Sequence, residues 1–247
     1  GAVTVTATED AAINALSVAA SLAVSGGIVA IAISGAGAVA DNSILGGAKA
    51  YAVDSTIEAT NGAVTFEATN LSDIEAKIIS ASVSVAVGGG GVGASLGVAI
   101  ARNTIGMGDA VDVHAYAQDT GITAGTDLRF TAEADQTVDA LVLSVSAALA
   151  GGAGFGLAAS GSGVYTENRI AVDVKSAIDG DGSTVVTADR VTVEASDESR
   201  ITADAAAASI AASFGFVGVA ISIGVSLAFN SIDSDVVAFI DGTDVTT

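Results

Sequence analysis

The residues that could do chemistry in this chain are few, and the clearest are two aspartates in one short turn. Asp179 and Asp181 lie in the segment Asp-Gly-Asp-Gly-Ser, which ends at Ser183. Carboxylate oxygens are the ligands that Ca²⁺ prefers. The segment lacks the closing Glu of an EF-hand and differs from the nonapeptide of calcium-binding β-rolls. It therefore has two interpretations, a calcium site at Asp179 and Asp181 or an ordinary acidic turn.

Other catalytic chemistry finds little support in the residue types. His114 is the only histidine, it lies in a strand-like segment, and we interpret it as a surface or inter-strand side chain. The chain has no cysteine, which excludes disulfides and thiol catalysis. The glycine runs lack the Lys-Ser/Thr pair of a phosphate-binding loop. We therefore expect no enzyme activity and no cofactor other than calcium.

The elements that must position any site come from an internal repeat. An Asn-X-Ile tripeptide recurs four times, at steps of 61, 65 and 62 residues, and its asparagines are Asn42, Asn103, Asn168 and Asn230. Such asparagines satisfy backbone groups at turns, and stacked along an array they could form hydrogen bonds with one another. We interpret them as structural markers of the repeat. A fixed period of this length indicates an array whose units bury one another's apolar surfaces.

The repeat defines the domain organisation. We expect one continuous array of four repeats, at about 1–61, 62–125, 126–188 and 189–247. The first repeat has no polar cap of the kind that ends most solenoids. We therefore expect the array to be a piece excised from a longer chain.

A long apolar stretch in each repeat determines the fold class. From Val219 to Phe229 the large residues occupy every second position, and Gly, Ala or Ser lies between them. A period of two is typical of a strand, whereas a helix face needs 3.6 residues. Since neither face carries charge over most of its length, we expect both to be buried. The small-residue face should allow closer approach than the usual 10 Å or so between sheets.

Glycines near the middle of each stretch predict a reversal there, as in the run from Gly88 to Gly91. Each stretch then reads as two strands, arranged either as a long hairpin or as successive solenoid rungs. The fold class is all-β, a β-solenoid or a β-solenoid-like stack with long Ala/Gly/Ser/Val-rich hairpin strands. The absence of proline suits long strands, because proline would delete a backbone hydrogen bond.

The net charge of the chain restricts the classes of partner that it can bind. The net charge is −20, from 28 acidic and 8 basic residues. Phosphate contacts require clustered Lys and Arg, so we expect no nucleic acid partner. Anionic membrane surfaces are disfavoured for the same reason, and we expect no membrane insertion.

The chain resembles the repeat regions of giant bacterial surface adhesins of the filamentous-haemagglutinin-like group. The likeness rests on the phrase from Gly62 to Ala68, the stretch from Ile79 to Ala101, and Asn103-Thr104-Ile105. It implies a right-handed parallel β-solenoid or a related β-rich stalk, secreted and located outside the cell or on its surface. The long apolar stretch departs from the short, even coils of such solenoids, and it could form long hairpins or a flattened sheet stack.

These observations lead to one expected function and one alternative. The expected function is a structural stalk segment of a large secreted adhesin, a mechanical spacer whose partners are neighbouring repeats of the same parent chain. The alternative is a membrane-embedded β-barrel or a pore-forming segment, because uncharged stretches of this length qualify as membrane spans by hydropathy.

Overall fold

The computed structural model describes residues 1–106 and 110–247, and nearly all of these residues lie in β-strands. The first repeat contains β1 (Val3–Glu9), β2 (Ala12–Ile44), β3 (Ala48–Val53) and β4 (Thr56–Ala59). The second contains β5 (Val64–Asn70), β6 (Asp73–Ile105), β7 (Val111–Gln118) and β8 (Gly121–Ala124). The third contains β9 (Asp127–Ala134) and β10 (Thr137–Thr187). The fourth contains β11 (Arg190–Asp197), β12 (Arg200–Phe214) and β13 (Val217–Thr246).

Strands at equivalent positions of successive repeats pair in parallel. The short first strands form a sheet in the order β1-β5-β9-β11, and the long strands form a second sheet around β2-β6-β10. The register follows the sequence repeat, so that Asn103 lies opposite both Asn42 and Asn168. The fold class predicted from the sequence, an all-β and β-solenoid-like stack, is confirmed.

Each long apolar stretch folds back on itself as a β-arch. We call residues 15–25, 76–87, 140–150 and 203–213 the outgoing limbs, and residues 29–41, 90–102, 155–167 and 217–229 the return limbs. Within one repeat the limbs meet through side chains, as where the Oγ atoms of Ser146 and Ser160 lie 2.7 Å apart. Their strand pairing is with the neighbouring repeats. The sequence left a choice between a long hairpin and two successive solenoid rungs. Because the two limbs of a repeat pair with the neighbouring repeats and face each other through side chains, they are arranged as two successive rungs in facing layers.

The two layers of the arch lie close together because the facing residues are small. A Cβ atom placed on Gly93 would lie 2.7 Å from the carbonyl oxygen of Leu149, inside contact distance. The Oγ atoms of Ser21 and Ser34 approach to 2.6 Å across the same gap in the first repeat. These contacts agree with the close approach that the Gly/Ala/Ser face predicts.

The large-residue face of each limb lies on the surface. Val87 is 59% exposed, Leu96 57% and Leu149 39%, although all three belong to the two inner repeats. The expectation that both faces are buried is therefore wrong. The small residues fill the gap between the layers, and the described chain supplies no third layer to cover the outer faces.

The main core lies at the base of the arches, between the two sheets. Phe66 and Phe130 stack there with ring centroids 4.6 Å apart, in register and fully buried. Ile74, Ile105 and the inward residues of β7 complete this core. It fixes the position of β7, whose outward side chains form the site described next.

Candidate functional site

Two outward positions of β7 and one of β10 bring three potential metal ligands together. In β7 Val111 and Val113 point into the core, so the intervening residue Asp112 and the next residue His114 face outward. Parallel register places Asp112 beside Asp173 of the third repeat. Asp112, His114 and Asp173 each offer one ligand atom, and these atoms lie within 4.8 Å of one another.

The geometry of this cluster suits a tetrahedral metal ion. His114 Nε2 lies 3.2 Å from Asp173 Oδ2 and 3.6 Å from Asp112 Oδ1. Metal–ligand bonds of about 2.1 Å place neighbouring ligand atoms of a tetrahedron roughly 3.4 Å apart. The Nε2 atom is buried and has no hydrogen-bond partner among the described residues. One imidazole and two carboxylates at this spacing could hold a Zn²⁺ ion.

Lys49 of the first repeat would compete with a metal ion for the carboxylate of Asp112. Its ammonium group forms an ion pair with Asp112 Oδ2, and its backbone is in register with His114. The hydrogen bond that Lys49 donates to Asp112 raises the pKa of Lys49. Oδ2 of Asp112 thus pairs with Lys49, and Oδ1 of Asp112 faces His114.

Sequence reasoning did not identify this cluster. His114 was interpreted as a surface or inter-strand side chain, and Asp112 and Asp173 are far apart along the chain. The signal that could have found them is the repeat itself. Because equivalent positions stack in register, aspartates at equivalent positions of two repeats must lie side by side.

Of the predicted calcium ligands, Asp181 lies in the turn between the two parts of β10 that pair with β13, and Asp179 ends the first part, opposite Asp241. The carboxylate of Asp181 accepts hydrogen bonds from Ser183 N at 2.8 Å and from Ser183 Oγ at 2.6 Å. These bonds lower the pKa of Asp181. The contacts are those of an ordinary Asx turn, and calcium at Asp179 and Asp181 stays a prediction.

An acidic corner surrounds this turn. Partial desolvation raises the pKa of Asp119, and the negative charges of Asp181, Asp54 and Asp179 raise it further. Asp54 and Asp119 both have positive φ, 47° and 46°, which Asp tolerates better than most residues. Several carboxylates therefore converge at the outer edge of three repeats.

The four marker asparagines form a continuous row of side-chain hydrogen bonds, which we call the amide row. Asn42 Nδ2 donates to Asn103 Oδ1 at 2.7 Å, and Asn103 Nδ2 donates to Asn168 Oδ1 at 2.7 Å. Asn168 Nδ2 donates in turn to Asn230 Oδ1 at 2.8 Å. Asn103 and Asn168 are almost fully buried, so the row has a structural role at the base of the return limbs.

The fold and these sites define a β-solenoid-like repeat protein with long two-layered arches. Comparison of the chain with protein-family models, with curated proteins and with solved structures finds no match. Among the residues that the structure describes, no helix is long and apolar enough to cross a membrane.

Proposed function

We propose that the chain is a stalk segment of a large secreted bacterial cell-surface adhesin, a mechanical spacer without catalysis. The observation that supports this proposal best is the amide row, which links all four repeats through hydrogen bonds that are buried between the first three repeats and partly buried between the third and fourth. In such an array each repeat is stabilised mainly by its neighbours, so units can be added without a new fold. A stalk needs this property.

The partners in this proposal are neighbouring repeats of the same parent chain. They would pair with the outer strands of the first and fourth repeats in the same parallel register. The net charge of −20 suits a protein that stays in solution outside the cell or at its surface. Binding to an adhesion target would belong to surface loops or to other parts of the parent protein.

Surface labelling of the bacterium that makes the chain tests this proposal. Antibodies raised against the four-repeat segment should label intact cells, and brief protease treatment of intact cells should remove the signal. Permeabilised cells serve as the control for total protein. A signal that appears only after permeabilisation would contradict the proposal.

One observation favours the alternative of a membrane-embedded segment. The outer faces of the arches expose large apolar side chains, among them Leu22, Leu96 and Ile223. Patches of this kind often mark protein or membrane contacts. Flotation with vesicles of neutral phosphatidylcholine separates the two functions, since a stalk stays in the soluble fraction and a membrane segment floats with the lipid.

A further inference from the structure

The outer surface of the return limbs, which we call the return face, has a regular relief. Two neighbouring columns of outward residues run across the four repeats in register. The first column is Gly35, Leu96, Gly161 and Ile223, and the second is Gly37, Val98, Gly163 and Val225. Repeats two and four therefore project ridges of Leu, Ile and Val, and repeats one and three leave grooves between them.

The glycines in these grooves are not required by the fold of the chain. A Cβ atom on Gly37 or Gly163 would meet no atom within 4 Å, and one on Gly35 only a carbonyl oxygen at 3.9 Å. At Gly161 the nearest atom is the mobile end of the Leu96 side chain, at 3.1 Å. None of the four has the positive φ that favours glycine.

Glycine inside a strand costs about 0.5–1 kcal/mol relative to alanine. The inward glycines have a clear reason for that cost, because a Cβ on Gly93 or Gly91 would collide with a backbone oxygen at 2.7 Å. The groove glycines have no such reason within the chain. Their grooves leave room for side chains that come from outside it.

We infer that the return face pairs with the return face of a second copy of this chain. A two-fold axis along the limbs, midway between repeats two and three, places repeat two opposite repeat three of the partner and repeat one opposite repeat four. Leu96 then faces Gly161 of the partner, and Ile223 faces Gly35 of the partner. In these two columns every ridge meets a groove, whereas in the flanking columns Val92 faces Leu157 of the partner and Ile100 faces Tyr165 of the partner in apolar contacts. The contact is isologous, as a dimer with two-fold symmetry requires.

Charge at the base of the return face fits the same axis. Arg102 and Glu167 occupy one register position in repeats two and three, with Arg102 Nε 3.9 Å from Glu167 Oε2. The axis brings Arg102 opposite Glu167 of the partner, and the reverse pair forms by symmetry. Opposite charges thus meet at the rim of the apolar contact, where they favour this orientation over the parallel one.

The area is sufficient for a stable pair. A limb of about 12 residues at about 3.3 Å each, stacked over four repeats at about 4.8 Å, presents roughly 800 Å². Standard protein–protein interfaces bury about 800 Å² per partner. The outgoing limbs are also apolar, but the alternation of glycine and large residues occurs there in a single column at their outer end, Gly26, Val87, Gly151 and Phe214, and is absent from the column of Leu22, Val83, Ala147 and Ile210. The return face is favoured because it combines two adjacent glycine columns with the opposite charges of Arg102 and Glu167.

This pairing goes beyond the proposed stalk function and does not depend on it. The first test is the mass of the chain by sedimentation equilibrium across a range of concentrations. We expect an increase from 23.6 kDa towards twice that value. A chain that stays monomeric at every concentration up to about 100 µM would overturn the inference.

Two matched variants locate the contact. Gly163→Leu fills a groove where the chain itself has free space, so it should fold normally and weaken dimerisation at least 10-fold. Ala147→Leu adds three carbon atoms, against four in Gly163→Leu, to the outgoing limb of the same repeat and should leave dimerisation unchanged. Circular dichroism and melting of both variants check their folding. Equal weakening by both variants would overturn the inference.

A mixing experiment tests the complementarity directly. Val98→Gly removes the ridge that faces Gly163 of the partner, so Gly163→Leu and Val98→Gly chains should pair with each other better than either pairs with itself. Failure of the mixture to form the mixed dimer would count against this geometry. Flotation of the wild-type chain with neutral phosphatidylcholine vesicles, unaffected by Gly163→Leu, would assign the face to lipid and overturn the inference.

Discussion

The side-chain amide of Asn103 donates a hydrogen bond to Oδ1 of Asn168, 65 residues further along the chain, and both side chains are buried. Asn103 also accepts a hydrogen bond from Asn42. One side chain thus joins three repeats. We expect Asn103→Ala to lower the free energy of unfolding by about 1–3 kcal/mol, because it leaves a buried donor and a buried acceptor without partners.

Chemical denaturation of the wild type, Asn103→Ala and Asn42→Ala measures this effect. Asn42 lies at the end of the amide row, so its removal leaves one neighbour unsatisfied and should cost less. An Asn103→Ala variant that unfolds at the wild-type denaturant concentration would contradict the structural role of the row.

Glycines on the two sides of a limb should respond in opposite ways to the same change. Gly93→Ala places a methyl group 2.7 Å from the carbonyl oxygen of Leu149, and such overpacking costs about 1–3 kcal/mol. In the single chain Gly163→Ala adds a methyl group in free space, so at a concentration too low for pairing it should stabilise the fold by up to about 1 kcal/mol. Thermal melting of both variants checks this pair. Equal effects would show that the layers are not tightly packed.

The stability contribution of Asp73 should depend on pH. Desolvation raises the pKa of Asp73, and the charges of Asp139 and Glu75 raise it further. A carboxyl group whose pKa is raised on folding destabilises the fold when ionised, and this cost disappears as the pH falls below its unfolded value of about 3.9. Asp73→Asn should therefore be more stable than the wild type at pH 7, and the difference should vanish near pH 3.5.

Asp181→Asn is the control, because its effect on the free energy of unfolding at pH 7 should be opposite to that of Asp73→Asn. Hydrogen bonds from Ser183 lower the pKa of Asp181, so its ionised form stabilises the fold above pH 3.9 and this stability is lost as the pH falls through the lowered value. The variant should be slightly less stable than the wild type at pH 7. If the free energies of unfolding of both variants changed with pH in the same way as that of the wild type between pH 3 and 7, the two pKa directions would be wrong.

Zinc should bind at Asp112, His114 and Asp173. We expect Zn²⁺ to shift the imidazole resonances of His114 and to raise the melting temperature, since a ligand at 100 times its Kd stabilises by about 2.7 kcal/mol. His114→Ala should abolish both effects. Lys49→Ala should tighten binding, because it frees the Asp112 carboxylate from its ion pair. Zinc-dependent melting that persists in His114→Ala would place the ion elsewhere.

Calcium at Asp179 and Asp181 can be tested separately. If the turn binds Ca²⁺, millimolar calcium should raise the melting temperature of the wild type and have a smaller effect on Asp181→Asn. Magnesium at the same concentration is the control for ionic strength, since it requires a stricter octahedral site. Equal shifts with both ions, or none, would leave the turn as a hydrogen-bonded reversal.

Much of the fold follows from short patterns in the sequence. The alternation from Val219 to Phe229 predicts a strand, and the steps between Asn42, Asn103 and Asn168 predict which residues lie side by side. Both inferences use only local spacing and the rule that repeats stack. The parallel register of the structure agrees with them.

The exposure of the large-residue faces could not be derived in the same way. Alternation shows that Leu96 and Ser95 point to opposite sides of a strand, but it does not show which side another layer covers. Hydrophobicity favours covering Leu96, whereas close packing favours pairing Ser95 with Ser82, whose Oγ atoms are 2.5 Å apart. The cluster of Asp112, His114 and Asp173 was missed for a related reason, since it exists only where β7 and β10 lie in register.

The flat coil has a mechanical consequence. Each repeat contributes only about 4.8 Å along the stacking direction, although it contains about 60 residues. If tension peels one coil from the stack, that coil can extend to roughly 200 Å. Each repeat can therefore lengthen about 40-fold when it unfolds. A tether made of such repeats would extend in steps, one repeat at a time, before it breaks.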